Sequence, residues 1–281
     1  MIWRFISFKK LNAFENMAID EAIFRENQRT DTPPTLRFYS WSPPSVSLGY
    51  FQATWKEVNV EACRRYSVDI VRRPTGGKAV LHENDLTYAV IASERNPLFP
   101  PDILGTYKVI SGCVAGGLSE LGIEAEMEGA GRSNPDDSLK AACFSSPSRY
   151  ELLVKKRKIC GSAQLRSKGI FLQHGSILVD FDPLKTCVLL LPQHGDQTRQ
   201  AKKLHGSVTS IHEQVGASVS VENICHVIKN SFEKKLDIKL VEGCLTLEEE
   251  SLKLQLMSDK YMNEKWNMEG KVQSDGSKNS D

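Results

Sequence analysis

Three runs that favour β-strands follow one another between residues 150 and 182, and they constrain the fold more than any other part of the sequence. The segment reads YELLVKKRKICGSAQLRSKGIFLQHGSILVDFD, with turn residues at Lys155-Lys156 and at Ser167-Lys168-Gly169. Runs rich in β-branched and aromatic residues that are separated by short turns predict an antiparallel meander. The fold class must therefore provide a sheet with neighbouring antiparallel strands.

Short strand-like and helical runs fill most of the remaining sequence. The strand-like runs are 3–8, 35–41, 45–51, 69–73 and 85–93, and Ser42-Pro43-Pro44 predicts a hairpin between the second and the third. Helical periodicity covers 106–121, 221–236 and 246–266, and Asn12 with Glu15 resembles a capping box before another helix. This arrangement predicts an α+β fold with mixed or antiparallel sheets and packed helices. We expect one domain over 1–266 and a disordered polar tail over 267–281.

The overall charge and the cysteine pattern exclude several classes of protein. The 281 residues carry 36 Lys and Arg against 35 Asp and Glu, a net charge of +1, which argues against a nucleic-acid coat or a membrane-surface protein. No apolar run approaches the roughly 20 residues that span a bilayer. Seven cysteines without a CxxC pair argue against a disulfide framework or a zinc ribbon. We expect a cytoplasmic monomer with reduced thiols and no metal.

A glycine turn at residues 75–77 is flanked by three cations, Arg72, Arg73 and Lys78. Such a cluster suggests a phosphate cradle, but the segment matches neither GxxxxGK[ST] nor GxGxxG. Glycines let the backbone turn sharply and let a ligand approach it closely. Arg72 and Arg73 lie on a strand and point to opposite faces, so we expect only one of them to face a site. A glycine hairpin with solvated arginines explains the same residues.

Cys143 is the cysteine whose position best fits a nucleophile. It follows a polar loop and precedes a strand in ACFSSPSRYEL, whereas isolated cysteines are usually small buried hydrophobes. His82 and His174 lie beside small residues or a strand end, and either one can serve as a base for Cys143. The other histidines lack the spacing of metal ligands.

Lys158 lies in RKICGSAQ, next to the small residues Gly161, Ser162 and Ala163, which allow a ligand close to the strand. It points to the opposite side from Ile159, the better core residue. A lysine beside a thiol favours the thiolate, which is the competent nucleophile. Taken alone, Lys158 is better explained as a member of the solvated basic run 155–158.

Three segments in register resemble a known family. RRPTGGKAVLH, ACFSSPSRYELLVKKRKICGSAQ and LQHGSILVDFD, together with NAFENMAIDEAI near the start and YMNEKWN near the end, are similar to the lipoate–protein ligase A and octanoyltransferase family. Its fold is shared with biotin protein ligases. Within the family, the pattern looks most like the LipM-type branch. Members of that branch move an octanoyl group from acyl carrier protein to a lysine of a lipoyl-accepting protein, such as glycine cleavage H protein, in lipoate biosynthesis.

This resemblance implies a role for each matching residue. It places the acyl-thioester nucleophile at Cys143 and the companion lysine that lowers the thiol pKa at Lys158. No cofactor, nucleic acid or membrane is implied. The implied acyl-binding positions are Arg72, Arg73, Thr75, Gly76, Gly77, His82, Gly161, Ser162, Ala163, His174 and Gly175.

Two other functions fit the same motifs. An ATP-dependent lipoate ligase of the family shares the glycine-turn and lysine motifs but makes an acyl-adenylate and needs no cysteine. Many such ligases carry a small C-terminal accessory domain, whereas only a polar tail follows Trp266 here, so this tail and Cys143 together favour the transferase. A non-catalytic binder of acyl or lipoyl carriers is the alternative outside enzymes.

Overall fold

The predicted meander is present and forms one end of a large sheet. A computed structural model describes residues 1–30, 32–127, 151–190 and 196–270. The central strand β9 (Arg157–Ser167) pairs antiparallel with β8 (Leu152–Val154) on one side and with β10 (Ile170–Leu178) on the other. Their turns lie where the sequence predicts them, because Lys155, Lys156, Lys168 and Gly169 all adopt positive φ angles.

Five more strands complete this sheet in the described part of the chain: β1 (Ile2–Leu11), β2 (Thr35–Trp41), β6 (Asp85–Ser93), β7 (Glu126–Met127) and β11 (Lys239–Glu242). Their order is β11-β1-β2-β6-β10-β9-β8-β7. β1 pairs in parallel with β2 and β11, and the pairs from β2 onwards are antiparallel. The sheet is therefore mixed, which confirms the predicted α+β class.

A small sheet carries the glycine turn. Its central strand β3 (Ser45–Leu48) pairs in parallel with β4 (Asp69–Arg72) and antiparallel with β5 (Val80–His82). The expected hairpin between residues 35–41 and 45–51 is wrong, because β2 belongs to the large sheet and β3 to the small one. The chain changes sheets at Pro43 and Pro44, whose nitrogens cannot donate to a strand ladder.

The helices begin and end with the local signals that the sequence contains. The side chain of Asn12 accepts a hydrogen bond from the backbone N–H of Glu15, Thr246 and Glu249 form a complete capping box, and Gly122 ends a helix with a φ of +78°. The predicted helix 246–266 is interrupted by a π-helical turn, Met257–Tyr261. The helices are α1 (Ala13–Asn27), α2 (Thr54–Glu57), α3 (Val60–Arg65), α4 (Ile103–Glu120), α5 (Pro183–Leu190), α6 (Gln197–Ser207), α7 (Ile211–Val215), α8 (Val221–Leu236), α9 (Leu247–Leu256) and α10 (Glu264–Glu269).

Each face of the large sheet carries its own core. α4 and α8 pack against one face, where Phe38 and Tyr88 are buried, and α1 and α9 pack against the other, with Tyr39 and Ala89. Successive strand residues point to opposite faces, so neighbours such as Phe38 and Tyr39 enter different cores. In the described ranges, no helix has both the length and the hydropathy of a membrane-crossing segment.

Arg72 joins the small sheet to the last helix of the described chain. It is 1% exposed, its backbone N–H donates to Asn267 Oδ1 at 2.9 Å, and its guanidinium donates to carbonyl oxygens of the loop after β3 and of α10. These acceptors are the carbonyls of Gly49, Tyr50, Gln52, Trp266, Asn267 and Met268. The folded domain therefore extends past residue 266, where we expected it to end. The rest of the predicted tail, from 271, lies outside the described residues.

We expect Arg72→Met to lower the free energy of unfolding by about 3 kcal/mol or more, because several buried carbonyls lose their donor and each unsatisfied group costs ~1–3 kcal/mol. Arg64→Met is the matched control, since Arg64 is an exposed arginine whose partner Glu264 is also exposed. Its effect should stay within about 0.5 kcal/mol. Urea unfolding of both variants measures the difference, and equal stability of the two would contradict the role given to Arg72.

Candidate active site

A cavity of about 140 Å³ lies where the small sheet meets the large one. Strands β2, β6, β9 and β10 form its walls on one side, and β3, β5 and the glycine turn form them on the other. Met17 of α1 and Glu151, just before β8, complete the lining. The described parts of the three motif segments therefore converge on one cavity.

Most of the predicted binding residues line this cavity, namely Arg73, Gly77, His82, Gly161, Ser162, Ala163, His174 and Gly175. Thr75 contacts His174, which lines the cavity, and Gly76 belongs to the same turn as Thr75. Arg72 does not line the cavity, because its side chain points away to the carbonyls of α10. This agrees with the expectation that only one of the two arginines faces the site, and it removes Arg72 from the predicted binding set. Cys143 lies outside the described residues.

The wall formed by β9 and β10 depends on residues with little or no side chain. Gly161 pairs with Ser176, and Ser162 pairs with Gly175. A Cβ atom at Gly175 would come within 2.6 Å of Ser162 Oγ and of the Tyr88 ring. This vacant space lets the hydroxyls of Tyr88 and Ser162 approach to 2.7 Å. The cavity wall is therefore close to backbone at these positions, as the small residues predict.

Arg73 stabilises the glycine turn through backbone carbonyls. Its guanidinium donates to the carbonyls of Ser47 at 2.9 Å, Gly76 at 2.8 Å and Lys78 at 2.7 Å. Gly77 has a φ of +94°, and a Cβ atom there would lie 2.8 Å from Arg73 Nη2. The arginine is therefore part of the structure of the turn, and it is neither solvated nor arranged as an open phosphate cradle.

His174 lies between a carboxylate and the glycine turn. Its Nδ1 is 3.2 Å from Asp20 Oδ2 and its Nε2 is 2.6 Å from Thr75 Oγ1. Burial raises the pKa of Asp20, but Arg37, His174 and Tyr39 outweigh burial, so the pKa lies below its ordinary value. Burial lowers the pKa of His174 and Asp20 opposes this effect, with a net pKa below the ordinary value. His174 therefore orients Thr75 as a neutral imidazole at neutral pH.

His82 makes a second contact of the same kind on the other side of the cavity. Its Nδ1 is 2.8 Å from Asp85 Oδ2 and its Nε2 is 2.8 Å from Ser47 Oγ. A carboxylate only accepts hydrogen bonds, so the proton of the first contact lies on Nδ1. Trp41 stacks on the imidazole with ring centroids 4.1 Å apart. Both histidines of the site are therefore held by an aspartate.

Lys158 is buried, so the interpretation as a solvated lysine is wrong. It is 2% exposed, and its Nζ donates to Glu151 Oε1 at 2.5 Å. A Cβ atom at Gly161 would lie 2.8 Å from Lys158 Nζ. The ammonium group therefore occupies the space that a side chain at Gly161 would fill, next to the cavity lining. Ile159 enters the core, as predicted.

The described cysteines do not provide a thiolate at this site, since none of them lines the cavity. Burial raises the pKa to about 11 for Cys63 and Cys187. It raises the pKa to about 12 for Cys113, Cys160 and Cys225, and for Cys160 burial outweighs the opposing effect of Lys158. Within the described ranges, no cluster of three His, Cys, Asp or Glu side chains has an arrangement suited to a metal ion.

Sequence reasoning did not identify four polar residues of the site, namely Asp20, Ser47, Asp85 and Glu151. Asp20 lies in the helical run NMAIDEAI, where a charged residue ordinarily indicates the solvated face of a helix. Asp85 follows His82 by three residues, and this spacing was the available signal. All four are buried, and only their tertiary neighbours indicate their place in the site.

Comparison with known proteins agrees with this geometry. The family model of the lipoyl protein ligase A/B catalytic domain matches residues 12–233. An octanoyltransferase LipM from Kyrpidia tusciae is 41% identical over 269 residues, which cover 94% of this chain and 98% of the relative. An octanoyltransferase LipM from Bacillus subtilis is 40% identical over 273 residues, with 94% and 97% covered.

Solved structures show the same fold. The bi-partite lipoate protein ligase from Thermoplasma acidophilum, studied with its E2 lipoyl domain, superposes with a TM-score of 0.82 at 27% identity and covers 98% of this chain and 100% of its own. A lipoate-protein ligase A bound with ATP gives a TM-score of 0.78 at 30% identity, with 95% and 99% covered. This chain therefore belongs to the lipoyl protein ligase A/B catalytic domain family.

Proposed function

We propose that this protein is an octanoyltransferase of lipoate biosynthesis, which transfers an octanoyl group to a lysine of a lipoyl-accepting protein. The observation that carries the proposal is the match to octanoyltransferases named LipM, which are 41% and 40% identical over 94% of this chain. The cavity between the two sheets supports it, since an apolar chain gains ~0.8 kcal/mol for each CH₂ that it buries. The depth of the cavity then sets the preferred chain length.

In the first step, the thiolate of Cys143 attacks the carbonyl carbon of an octanoyl thioester on acyl carrier protein. A bond forms between Cys143 Sγ and the carbonyl carbon, the bond to the carrier's sulfur breaks, and the carrier leaves as a thiolate that takes up a proton. Lys158 stabilises the thiolate of Cys143 with its positive charge. The burial of Lys158 supports this role, because a charge away from water acts more strongly on its neighbours.

In the second step, the amine of the acceptor lysine attacks the octanoyl-enzyme. An amide bond forms, the bond to Cys143 Sγ breaks, and the neutral amine loses one proton to a base, so that the thiolate of Cys143 is regenerated. His82 and His174 are the histidines that line the cavity, and both have a ring nitrogen beside a hydroxyl group. Backbone N–H groups near Cys143 or Gly161 hold the developing oxyanion.

The donor in this proposal is octanoyl-acyl carrier protein, the acceptor is a lipoyl-accepting protein such as glycine cleavage H protein, and the setting is the cytoplasm. Lys155 and Lys156 support the steering of acidic partners, because both are exposed at the turn between β8 and β9. Arg72 and Arg73 do not take part in this steering, because both are buried.

An ATP-dependent lipoate–protein ligase is the second candidate. The similarity to a lipoate-protein ligase A bound with ATP, at 30% identity over 95% of this chain, favours it. That reaction passes through an acyl-adenylate and leaves Cys143 without a role.

The choice between the two reactions is tested by their requirement for a nucleotide. We expect the protein to octanoylate an acceptor lipoyl domain from octanoyl-acyl carrier protein without ATP, and to leave it unmodified when given lipoate and ATP. The mass of the acceptor reports both reactions. Modification by lipoate and ATP alone would support the ligase, and modification in neither mixture would favour a non-catalytic binder.

We expect Cys143→Ala to abolish formation of an octanoyl-enzyme, because the variant has no thiolate to attack the thioester. Intact-mass measurement after mixing with octanoyl-acyl carrier protein detects the adduct in the unmodified protein. Cys244→Ala is the matched control, because Cys244 is exposed and follows β11 at the opposite edge of the large sheet from β7 and β8. If Cys143→Ala formed as much octanoyl adduct as the unmodified protein, this result would contradict the cysteine mechanism.

We expect Gly77→Ala to slow octanoyl transfer roughly 10- to 100-fold, because the added Cβ strains a φ of +94° and displaces Arg73 from the turn. Gly216→Ala is the matched control, because it strains a φ of +73° at a position with nothing within 4 Å. Transfer rates are expressed per amount of folded protein, so that slower transfer is not confused with loss of folded protein. An equal rate for both variants would show that the geometry of the glycine turn does not matter for transfer.

A further inference from the structure

Glu151 and Lys158 form a buried ion pair beside the cavity, and only the lysine has a role so far. Glu151 is 3% exposed and Lys158 is 2% exposed, with 2.5 Å between Oε1 and Nζ. Glu151 lines the cavity, and the end of the Lys158 side chain fills the space that a side chain at Gly161 would occupy.

A local irregularity of the β8–β9 hairpin brings the two residues together. Leu153 pairs with Lys158, whereas the preceding residue, Leu152, pairs with Cys160. Ile159 is therefore an extra residue on β9. Such a bulge changes the direction of the side chains around it and is common beside active sites. It lets Ile159 enter the core while Lys158 turns towards Glu151.

The energetics of this pair do not favour it as a stabilising device. Removing two charges from water costs several kcal/mol per ion, and a buried pair can often be replaced by apolar residues without loss of stability. A buried lysine without a carboxylate loses its proton readily, because desolvation disfavours the charged form. An ion pair of this kind beside a cavity is typical of a functional site.

We infer that Glu151 is a positioning residue, which keeps the Lys158 ammonium group charged and directed past Gly161 at the cavity wall. This inference rests on the proposed function, in which the charge of Lys158 stabilises the thiolate of Cys143. Glu151 acts through Lys158 and does not exchange a proton with the substrate. This role requires both the negative charge of Glu151 and the length of its side chain.

Three described titratable groups near the pair, Cys160, Asp85 and Arg157, do not supply this charge. Cys160 on β9 is within electrostatic reach of Lys158, Glu151 and Asp85, and burial raises its pKa to about 12, so its thiol is neutral. Asp85 is in contact with His82, Thr87 and Ser176. On the same strand, Arg157 is bound to Glu213 at 2.5 Å.

The direction in which Glu151→Gln changes the rate of acylation distinguishes this role from a direct effect of the negative charge of Glu151 on the thiol. Removal of a nearby anion alone would lower the pKa of a thiol and speed its acylation. If Glu151 instead maintains the charge of Lys158, its removal leaves Lys158 neutral, and the pKa of the Cys143 thiol rises. A rise of one in that pKa lowers the thiolate fraction about tenfold at neutral pH.

The experiment measures the rate of octanoyl-enzyme formation by intact mass, at a series of pH values, with octanoyl-acyl carrier protein as the donor. We expect Glu151→Gln to be about tenfold slower or more at neutral pH, with its rate profile moved to higher pH. Glu151→Asp keeps the charge on a shorter side chain, and its rate should fall between the rates of the unmodified protein and of Glu151→Gln. Glu213→Gln, which breaks the neighbouring pair with Arg157, should match the unmodified protein.

A second background tests whether Glu151 acts through Lys158. In Lys158→Met, the added change Glu151→Gln should cause no further slowing, because the group that Glu151 acts through is gone. Thermal unfolding of each variant shows that the rates refer to folded protein. An unchanged profile for Glu151→Gln, a profile moved to lower pH, or equal slowing in both backgrounds would overturn the inference and leave the proposed function intact. The unmodified protein gaining no octanoyl mass would overturn the proposed function itself.

Discussion

The close antiparallel pairing of β9 with β10 and of β10 with β6 is the constraint on which the site depends. Two positions in this pairing have no side chain, and polar groups fill the space that each one leaves. The Tyr88 ring and Ser162 occupy the space beside Gly175, and the end of the Lys158 side chain occupies the space beside Gly161. A methyl group at either glycine would displace these groups. Packing and chemistry therefore require the same residues.

The polar groups around the cavity are organised as pairs that are already formed. His82 is held by Asp85, His174 by Asp20, and Lys158 by Glu151. Charges and imidazoles away from water are costly without such partners. Because the partners are part of the folded protein, little reorganisation is needed when a substrate enters. The site combines an apolar slot with fixed polar groups, a combination suited to octanoyl transfer.

Much of the fold follows from local sequence patterns. The β8–β9–β10 meander, the cap at Asn12, the capping box at Thr246 and the end of α4 at Gly122 all appear where the sequence predicts them. The hairpin at Pro43 and Pro44 does not, because alternation identifies a strand without identifying its partners. β3 pairs with strands that lie later in the chain, and only tertiary packing settles that choice.

The candidate site shows the same division. The motif glycines, His82 and His174 were singled out from their residue types and their neighbours in the chain, and Lys158 was assigned a role only through the resemblance to the family. Asp20 and Glu151 were not, because their partners are 154 and 7 residues away and their role depends on burial. The opposite directions of Arg72 and Arg73 were predicted from strand geometry, but half of the carbonyls that accept from Arg72 belong to α10, far away in the sequence.

Direct transfer from a covalent octanoyl-enzyme to an acceptor is the central claim, and a single-turnover chase tests it most directly. The octanoyl-enzyme is freed of donor, mixed with an acceptor lipoyl domain in the absence of any nucleotide, and followed by intact mass. We expect the protein to lose one octanoyl group as the acceptor gains one on its lysine. An octanoyl-enzyme that persists, or that loses its group to water while the acceptor stays unmodified, would contradict the proposed transfer.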